Sequence, residues 1–338
     1  MAVGLAPRMG LDMGTNKTVV WAGKRVAYDE PTLLAVNTQR NRVLYYGKAA
    51  AERTGKMKQD TEMLKPMRRG AIADYAATVF YLKKVLAASL RFRVLKPVIV
   101  AGVPIQLSSV ESRALCDAAR EAGAGGIFLV PSTLATLWGF LEDPEDPTGS
   151  LVVDIGAGVT DVSVIASNQL IVGRTIPIGG DDITLLAERV MDVSYGVRMG
   201  RNEAAAVKMD VGLGYYEDEM LEKRRNDPDH KGGFQNVRIS KRQVAEFLLQ
   251  GLEPLFSGII NTLEETPPEL FEDIFRKGLI LSGGSSLLPG LRRRMQDRLN
   301  LNVTRLPEPS LSVIQGIGKI LSRFGQFREY FDEQRAMA

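Results

Sequence analysis

One cysteine, Cys116, and one histidine, His230, are all that 338 residues hold of these two types. A zinc site built from Cys and His is thereby excluded, and thiol–imidazole catalysis would have to use that one pair. Long apolar runs are missing too. The segment 97-PVIVAGVPIQL-107 is well short of the roughly 18 residues that cross a bilayer, and the first residues lack the apolar core of a signal peptide. Together with a lone cysteine, which fits a reducing compartment, these absences predict a cytoplasmic protein. Nor is there a strong charge of one sign: 43 Lys+Arg against 40 Asp+Glu leave +3. So small a net charge makes only a weak field for a polyanion, and no nucleic-acid partner is expected.

What is present is an ordinary globular composition, 45% hydrophobic and 25% charged, which argues against disorder, collagen and coiled coil. Two domains, or one large split domain, are expected, because single cores seldom grow beyond about 250–300 residues. The first forty residues read as short strands, Met9–Asp12, Lys17–Ala22 and Leu33–Val36, punctuated by glycine. Pro97–Gly102 and Gly126–Val130 read as buried strands, the second followed by a helical stretch to Leu141. Between them Ser108–Ala122 reads as a helix, with Ser108 or Ser109 as N-cap and Glu111 in the first turn. The segment 142-EDPEDPTG-149 packs two prolines and four acids into eight residues, which neither helix nor strand survives. It marks the boundary between a first domain, 1–146, and a second, 147–338.

Beyond the boundary, 150-SLVVDIGAGVTDVSVIAS-167 reads as two strands around a glycine turn, with a third strand near Leu170–Pro177. A shift of 142 residues lays Asp12 on Asp154, Gly14 on Gly156 and Thr18 on Thr160, an internal duplication of D-x-G-x-x-x-T. Each glycine removes the Cβ that would keep a phosphate from the backbone, and successive N–H groups of the turn can cradle the anion. Mg²⁺ takes one or two carboxylates, largely through retained waters, plus phosphate oxygens. Two aspartates at two such turns therefore read as a clamp for a Mg-nucleotide. Ser282–Ser286 forms a third glycine turn where a ring or ribose could lie against the backbone. The charge-dense segment 214–233, which contains His230, reads as an exposed insertion or long loop, so His230 is given no catalytic role. Ser240–Thr262 shows helical periodicity, a short helix starts at Pro267–Pro268, and 278–291 reads as strand, turn and helix. The tail after Ser310 is expected to be helical with Leu321, Phe324 and Phe327 on one face.

The segments 11-LDMGTNKTVV-20, 147-PTGSLVVDIGAGVTDVSVI-165, 178-IGGDD-182 and 266-TPPELFEDIFRKGLILSGGSSLLPGL-291 resemble the actin/sugar-kinase/heat-shock ATPase superfamily. Within it they are similar to the MreB-type bacterial actins, which include MamK. The resemblance implies an α/β, actin-like fold: two duplicated RNase H-like domains flank a nucleotide cleft, in four subdomains. The small subdomains would span about 31–69 and about 183–239, and a C-terminal helix of about 312–333 would return to the first domain. It further implies ATP or ADP with Mg²⁺ as cofactors and self-association into filaments, with paired protofilaments as in MreB. Residue by residue, it assigns Asp12, Gly14, Thr15 and Asn16 to the first phosphate loop and Asp154, Gly156, Ala157, Gly158 and Thr160 to the second. Gly180 and Lys208 become nucleotide contacts, and Gly283, Gly284 and Ser285 the adenosine loop. Asp12 and Asp154 would hold Mg²⁺ through water.

Two departures stand out. The family places a glutamate before the helix under the γ-phosphate to position the attacking water, and in 129-LVPSTLATLWGF-140 Ser132 stands in its place. Serine can orient a water but cannot act as a carboxylate base near neutral pH. In 203-EAAAVK-208 the paired glutamates of the family are alanines, leaving Glu203 as the one acid for a ribose contact. Nucleotide binding with slow or absent hydrolysis is the resulting expectation. The segment 91-RFRVLK-96 lies where MreB carries a membrane-inserting loop. Phe92 and Leu95 are the membrane-contact candidates, for peripheral attachment at the inner face of the cell membrane or to membrane-bound partners, with a hairpin packed on its own subdomain as the alternative. A non-polymerising adaptor of the same fold and a small-molecule kinase are the competing functional readings.

Overall fold

The computed structural model describes residues 6–56, 60–90, 95–141, 146–226, 233–325 and 327. The chain divides into two compact units, one of Met1–Pro147, Ile165–Leu170 and Ser310–Ala338, the other of Thr148–Val164 and Ile171–Pro309.

In the first unit, β1 (Arg8–Met13), β2 (Lys17–Ala22) and β3 (Arg25–Pro31) form an antiparallel meander. A small sheet follows, from β4 (Leu34–Asn37), β5 (Arg42–Tyr46) and, after α1 (Gly47–Ala51), β6 (Thr61–Leu64), in the order β5-β4-β6. The short pair β7 (Met67–Arg68) and β8 (Ala71–Ile72) leads to α2 (Tyr75–Ser89), whose N-cap Asp74 accepts a hydrogen bond from the Ala77 amide at 2.8 Å. β9 (Val98–Val103), α3 (Ser109–Ala122), β10 (Gly126–Pro131) and α4 (Ser132–Phe140) complete this stretch. Ser108 caps α3 through the Glu111 amide, and the Glu111 carboxylate accepts from the Ser108 amide at 2.9 Å, so two orphan donors are satisfied together. Gly123 then ends the helix in a left-handed conformation, φ 115°. β9 and β10 add in parallel to β1, giving the sheet order β10-β9-β1-β2-β3. One face packs Leu11, Val20 and Ile99 against Tyr81, Leu82 and Val85 of α2, all at most 2% exposed. Full burial of each such aliphatic side chain contributes roughly 1.5–3 kcal/mol.

The second unit holds β11 (Ser150–Ile155), β12 (Thr160–Ala166) and β13 (Gln169–Ile176), then α5 (Gly180–Tyr195) and α6 (Arg201–Val211). β14 (Met220–Asn226) and β15 (Phe234–Ser240) pair antiparallel. This corrects the expectation of a long loop over 214–233. Leu221 faces Ile239 as the one buried apolar pair, while Glu222 opposes Arg238 and Arg225 bonds Gln235, so charge density hid a genuine ladder. His230 lies outside the described residues. The periodicity of Ser240–Thr262 resolves into two helices, α7 (Lys241–Gly251) and α8 (Glu253–Glu264), broken at Leu252 because Pro254 lacks the amide to continue the first. α9 (Pro268–Lys277), β16 (Leu279–Ser282), a 3₁₀ turn (Gly284–Leu287), α10 (Leu291–Leu299) and β17 (Val303–Arg305) follow. The sheet order is β13-β12-β11-β16-β17. Every residue of β12 is buried, which fits a strand covered on both faces.

α11 (Ser312–Ser322) belongs to the first unit and lies on α4 and the sheet face formed by β1, β2 and β9. It is shorter than the expected 312–333: Arg323 caps it and Gly325 follows. Phe324 and Phe327 are therefore not on its face. Phe324 meets Phe128 edge-on with the Arg8 guanidinium over its ring, and Phe327 lies 4.6 Å from Trp138. Residues 328–338 lie outside the described residues. The α4–α11 crossing is close because it is made of small residues. A methyl on Gly316 would stand 1.8 Å from the Ala135 carbonyl oxygen, and one on Gly139 2.9 Å from the Gly316 Cα.

Backbone cannot yield as a side-chain tip can, so Gly316→Ala is expected to destabilise the protein by about 3 kcal/mol, whereas Gly325→Ala, in open space, should be near neutral. Urea unfolding measures both. A Gly316→Ala change within about 0.5 kcal/mol of native would refute the packing account.

Candidate functional site

The two D-x-G turns have the same internal geometry. Gly14 donates to the Lys17 carbonyl at 2.9 Å and Gly156 to the Val159 carbonyl at 2.9 Å. A methyl on either glycine would stand 3.1 Å from that same carbonyl. The duplication read from sequence is thus a duplication of backbone hydrogen bonding.

In the first unit Asp12 stands at the end of β1, in register with Gly102 of β9, which in turn faces Val130 of β10. Two residues further, Ser132 opens α4 with its hydroxyl over Gly102, 3.4 Å from where a Cβ would be. Ser132 is thus one strand from Asp12, and it is buried. The first turn of α4 carries no acid. The turn itself is held from outside: Thr15 Oγ1 accepts from the Gly70 amide at 3.3 Å, the Asn16 carbonyl from Thr32, and Asn16 Oδ1 from Lys65 Nζ. Lys65 is a cation at the first turn that sequence reasoning missed. It lies forty-nine residues from Asn16, so only the closure of the chain brings it there.

The second unit gathers more. Asp154 is in register with Ser282 of β16. Gly283 sits directly behind it at φ 82°, where a methyl would stand 2.4 Å from Asp154 Oδ1. The Ser285 hydroxyl donates to the Gly156 carbonyl at 2.8 Å, and the Gly180 amide donates to that same oxygen at 3.0 Å. Asp181 donates to the Ala157 carbonyl at 2.8 Å, and Gly179 has no room for a Cβ beside Ala157 and Gly158. Thr160 hydrogen-bonds the Ile178 carbonyl and so fixes the entry to α5. Three distant segments, at Gly156–Gly158, Gly180–Asp181 and Ser285, are therefore hydrogen-bonded together at the N-terminus of a sixteen-residue helix. Lys208 donates to the Gly180 carbonyl at 3.1 Å and to Thr184 Oγ1 at 3.0 Å, and burial pulls its ammonium below the usual lysine range, with Asp181 opposing. Glu203 is ion-paired with Lys223 at 2.8 Å. Its carboxylate is thus committed to β14.

Each turn leaves little room for a Cβ at its first glycine and lies beside an aspartate, which fits phosphate binding. No cluster of three or more His, Cys, Asp or Glu side chains capable of holding a metal occurs among the described residues. Asp12 and Asp154 fit Mg²⁺ only as partial ligands, with phosphate oxygens and water as the rest. Of the membrane candidates, Phe92 lies outside the described residues and Leu95 is 49% exposed. No helix among the described residues is long and apolar enough to cross a membrane.

A family model described as MreB/Mbl protein matches residues 6–329. The chain belongs to the MreB/Mbl family. Among relatives of this MreB/Mbl chain, the cell shape-determining protein MreB of Escherichia coli (strain K12) is 30% identical over 323 residues, covering 93% of this chain and 92% of that protein. The crystal structure of MreB5 of Spiroplasma citri bound to ADP superposes with a TM-score of 0.87 at 28% identity, covering 96% of this chain and 99% of that one. A MamK double helical filament structure gives 0.76 at 19% identity over 93% of this chain and 99% of that one, a likeness of fold. The fold is that of the bacterial actins.

Asp154 gives this MreB/Mbl chain a pH signature. Burial lifts its carboxyl from 3.8 to about 6, with Ser282 opposing, so the folded state holds this proton more tightly than the unfolded chain. The associated stability is complete below the unfolded value and is lost as pH rises through about 6. Ligand-free Asp154→Asn is expected to melt above native protein at pH 7.5, with the gap closing toward pH 4. Differential scanning calorimetry across that range checks it, and an Asn variant that melts lower at pH 7.5 contradicts the assignment.

Proposed function

We propose that this chain is a filament-forming cytoskeletal protein that binds Mg-ATP at its duplicated phosphate turns and hydrolyses it slowly. The observation that carries the reading is the pair of identical glycine turns, each following an aspartate at a strand end. Gly14, Thr15 and Asn16 of the first unit and Gly156, Ala157 and Gly158 of the second receive the phosphates. Gly283, Gly284 and Ser285 receive the adenosine, and Lys208 and Gly180 border it. When bound, Mg²⁺ supplies charge neutralisation and a template for the phosphates, with Asp12 and Asp154 as its carboxylates through water. Ser132, beside the strand that faces Asp12, orients a water by hydrogen bonding but does not take its proton near neutral pH. Phosphoryl transfer rests mainly on positioning and charge, so the serine lowers turnover while leaving affinity in place.

The ADP-bound MreB5 of Spiroplasma citri, similar over nearly the whole chain, supports the nucleotide class, and family membership supports self-association into filaments. The protein works in the cytoplasm, with peripheral attachment at the inner membrane face through Leu95 and Phe92.

Phosphate release measured beside sedimentation and negative-stain microscopy, with ATP, ADP and a non-hydrolysable analogue, tests the reading. Filaments are expected with ATP while phosphate release stays near background. Ser132→Glu should raise release by about ten- to a hundredfold. Brisk turnover by the native chain would overturn the role given to Ser132, and the absence of filaments under every nucleotide would favour an actin-fold adaptor.

A further inference from the structure

The small sheet β5-β4-β6 carries a cavity of about 440 Å³ on strands that bear none of the phosphate turns. Three cations line it, Arg40, Arg53 and Lys56, against one carboxylate, Asp60. That carboxylate is hydrogen-bonded by two other residues of the wall: Asp60 Oδ2 accepts from Asn37 Nδ2 at 2.7 Å, and Oδ1 takes the Thr61 hydroxyl at 3.5 Å. None of the three cations has an ion pair among the described residues. Like charges gathered around one concavity repel one another, and an anion in their midst relieves the repulsion.

Arg53 is held in place before any ligand arrives. Its guanidinium lies 4.2 Å from the centre of the Tyr45 ring, and one terminal nitrogen donates to the Ala49 carbonyl at 2.8 Å. The other guanidinium nitrogens make no hydrogen bond to a described residue. A guanidinium already fixed by stacking gives up little side-chain freedom on binding, and its planar fork matches the oxygens of a phosphate. Arg40 is anchored through its backbone, its amide donating to Asn37 Oδ1 at 2.8 Å. The same asparagine therefore hydrogen-bonds both the acid and the backbone of the cation, and the wall keeps three positive charges against one negative. Around the mouth, Leu44 and Tyr45 are 42% and 37% exposed, which leaves an apolar flank beside the charged floor.

We propose that this cavity binds a phosphate monoester, with Arg53 as the fixed contact and Arg40 and Lys56 closing on the remaining oxygens. Three unpaired cations suit a doubly charged group better than a single carboxylate, and the volume admits the carbon skeleton that carries the phosphate. The Leu44–Tyr45 flank receives its less polar part. The phosphate can come from a soluble metabolite or from a lipid headgroup, and the chemistry of recognition is the same for both. The assignment stands independently of the nucleotide reading, because it uses none of the same residues.

Two probes on the full chain separate the sources. Glycerol 3-phosphate is titrated calorimetrically, and vesicles of phosphatidylcholine with phosphatidic acid, or with phosphatidylserine at matched surface charge, are used in co-sedimentation. Native protein is expected to bind glycerol 3-phosphate, or phosphatidic acid vesicles in preference to phosphatidylserine ones. The first result assigns a soluble ligand, and the second without the first a headgroup. Arg53→Gln should weaken binding at least tenfold. Arg40→Gln, at an exposed side chain whose loss leaves the fold untouched, should weaken it several-fold, while Arg292→Gln on α10, with the same change in charge, should not. Equal pelleting with both anionic vesicles and no titration signal, equal effects of the Arg40 and Arg292 variants, or no binding of any probe would each overturn the proposal.

Discussion

Both D-x-G turns, each within its own unit, depend on a glycine in or just after the neighbouring parallel strand where a Cβ would be crowded. Where β11 meets β16 the chain passes so close to itself that no Cβ fits behind Asp154, and where β1 meets β9 side chains crowd the space over Gly102. Gly102 lies beside Asp12 under the Ser132 hydroxyl and a methyl of Val313, and Gly283 is pressed against the Asp154 carboxylate and the Ile155 carbonyl. Such contact is possible only with glycine, and in the second case only glycine tolerates the positive φ. The main chain thus passes directly behind Asp154. One result is desolvation, which is why Asp154 holds its proton up to about 6.

The same economy of side chains recurs under the first turn. α4 begins at Ser132, is buried from Ser132 to Trp138, and meets α11 backbone to backbone at Gly139 and Gly316. A helix so enclosed cannot shift its first turn without disturbing its crossing partner. Ser132 is therefore held in place by the same crossing. Under the proposed function, a hydroxyl in place of a carboxylate here lowers turnover without touching the phosphate turns.

Much of this was legible along the chain, and the failures are instructive. The strands at Met9–Asp12, Lys17–Ala22, Pro97–Gly102 and Gly126–Val130 lie within two residues of β1, β2, β9 and β10, because short, largely apolar runs bounded by turn residues are legible as strands. The Ser108 cap was visible for a local reason, since a capping box involves residues three apart. β3 was not seen, because its sequence RVAYDEP is partly exposed and polar, with only Tyr28 buried. β14 and β15 were hidden by charges that pair across the ladder. The helix break at Leu252 was missed because periodicity continues through Pro254 and only the missing amide interrupts it.

The sequence alone determined the duplicated D-x-G turns, the glycine turn at Ser282–Ser286 and a serine rather than an acid at position 132, since each is a statement about residue type at a fixed local spacing. Tertiary structure alone decided which distant groups complete them. Lys65 arrives at Asn16, Ser285 and Gly180 meet on the Gly156 carbonyl, and Glu203 is drawn to Lys223. It also gathered Arg40, Arg53 and Lys56 around one cavity. Local spacing sets turns and caps because they close within a few residues. Contacts between distant segments follow from how sheets and helices bury their apolar faces, and no single segment encodes that.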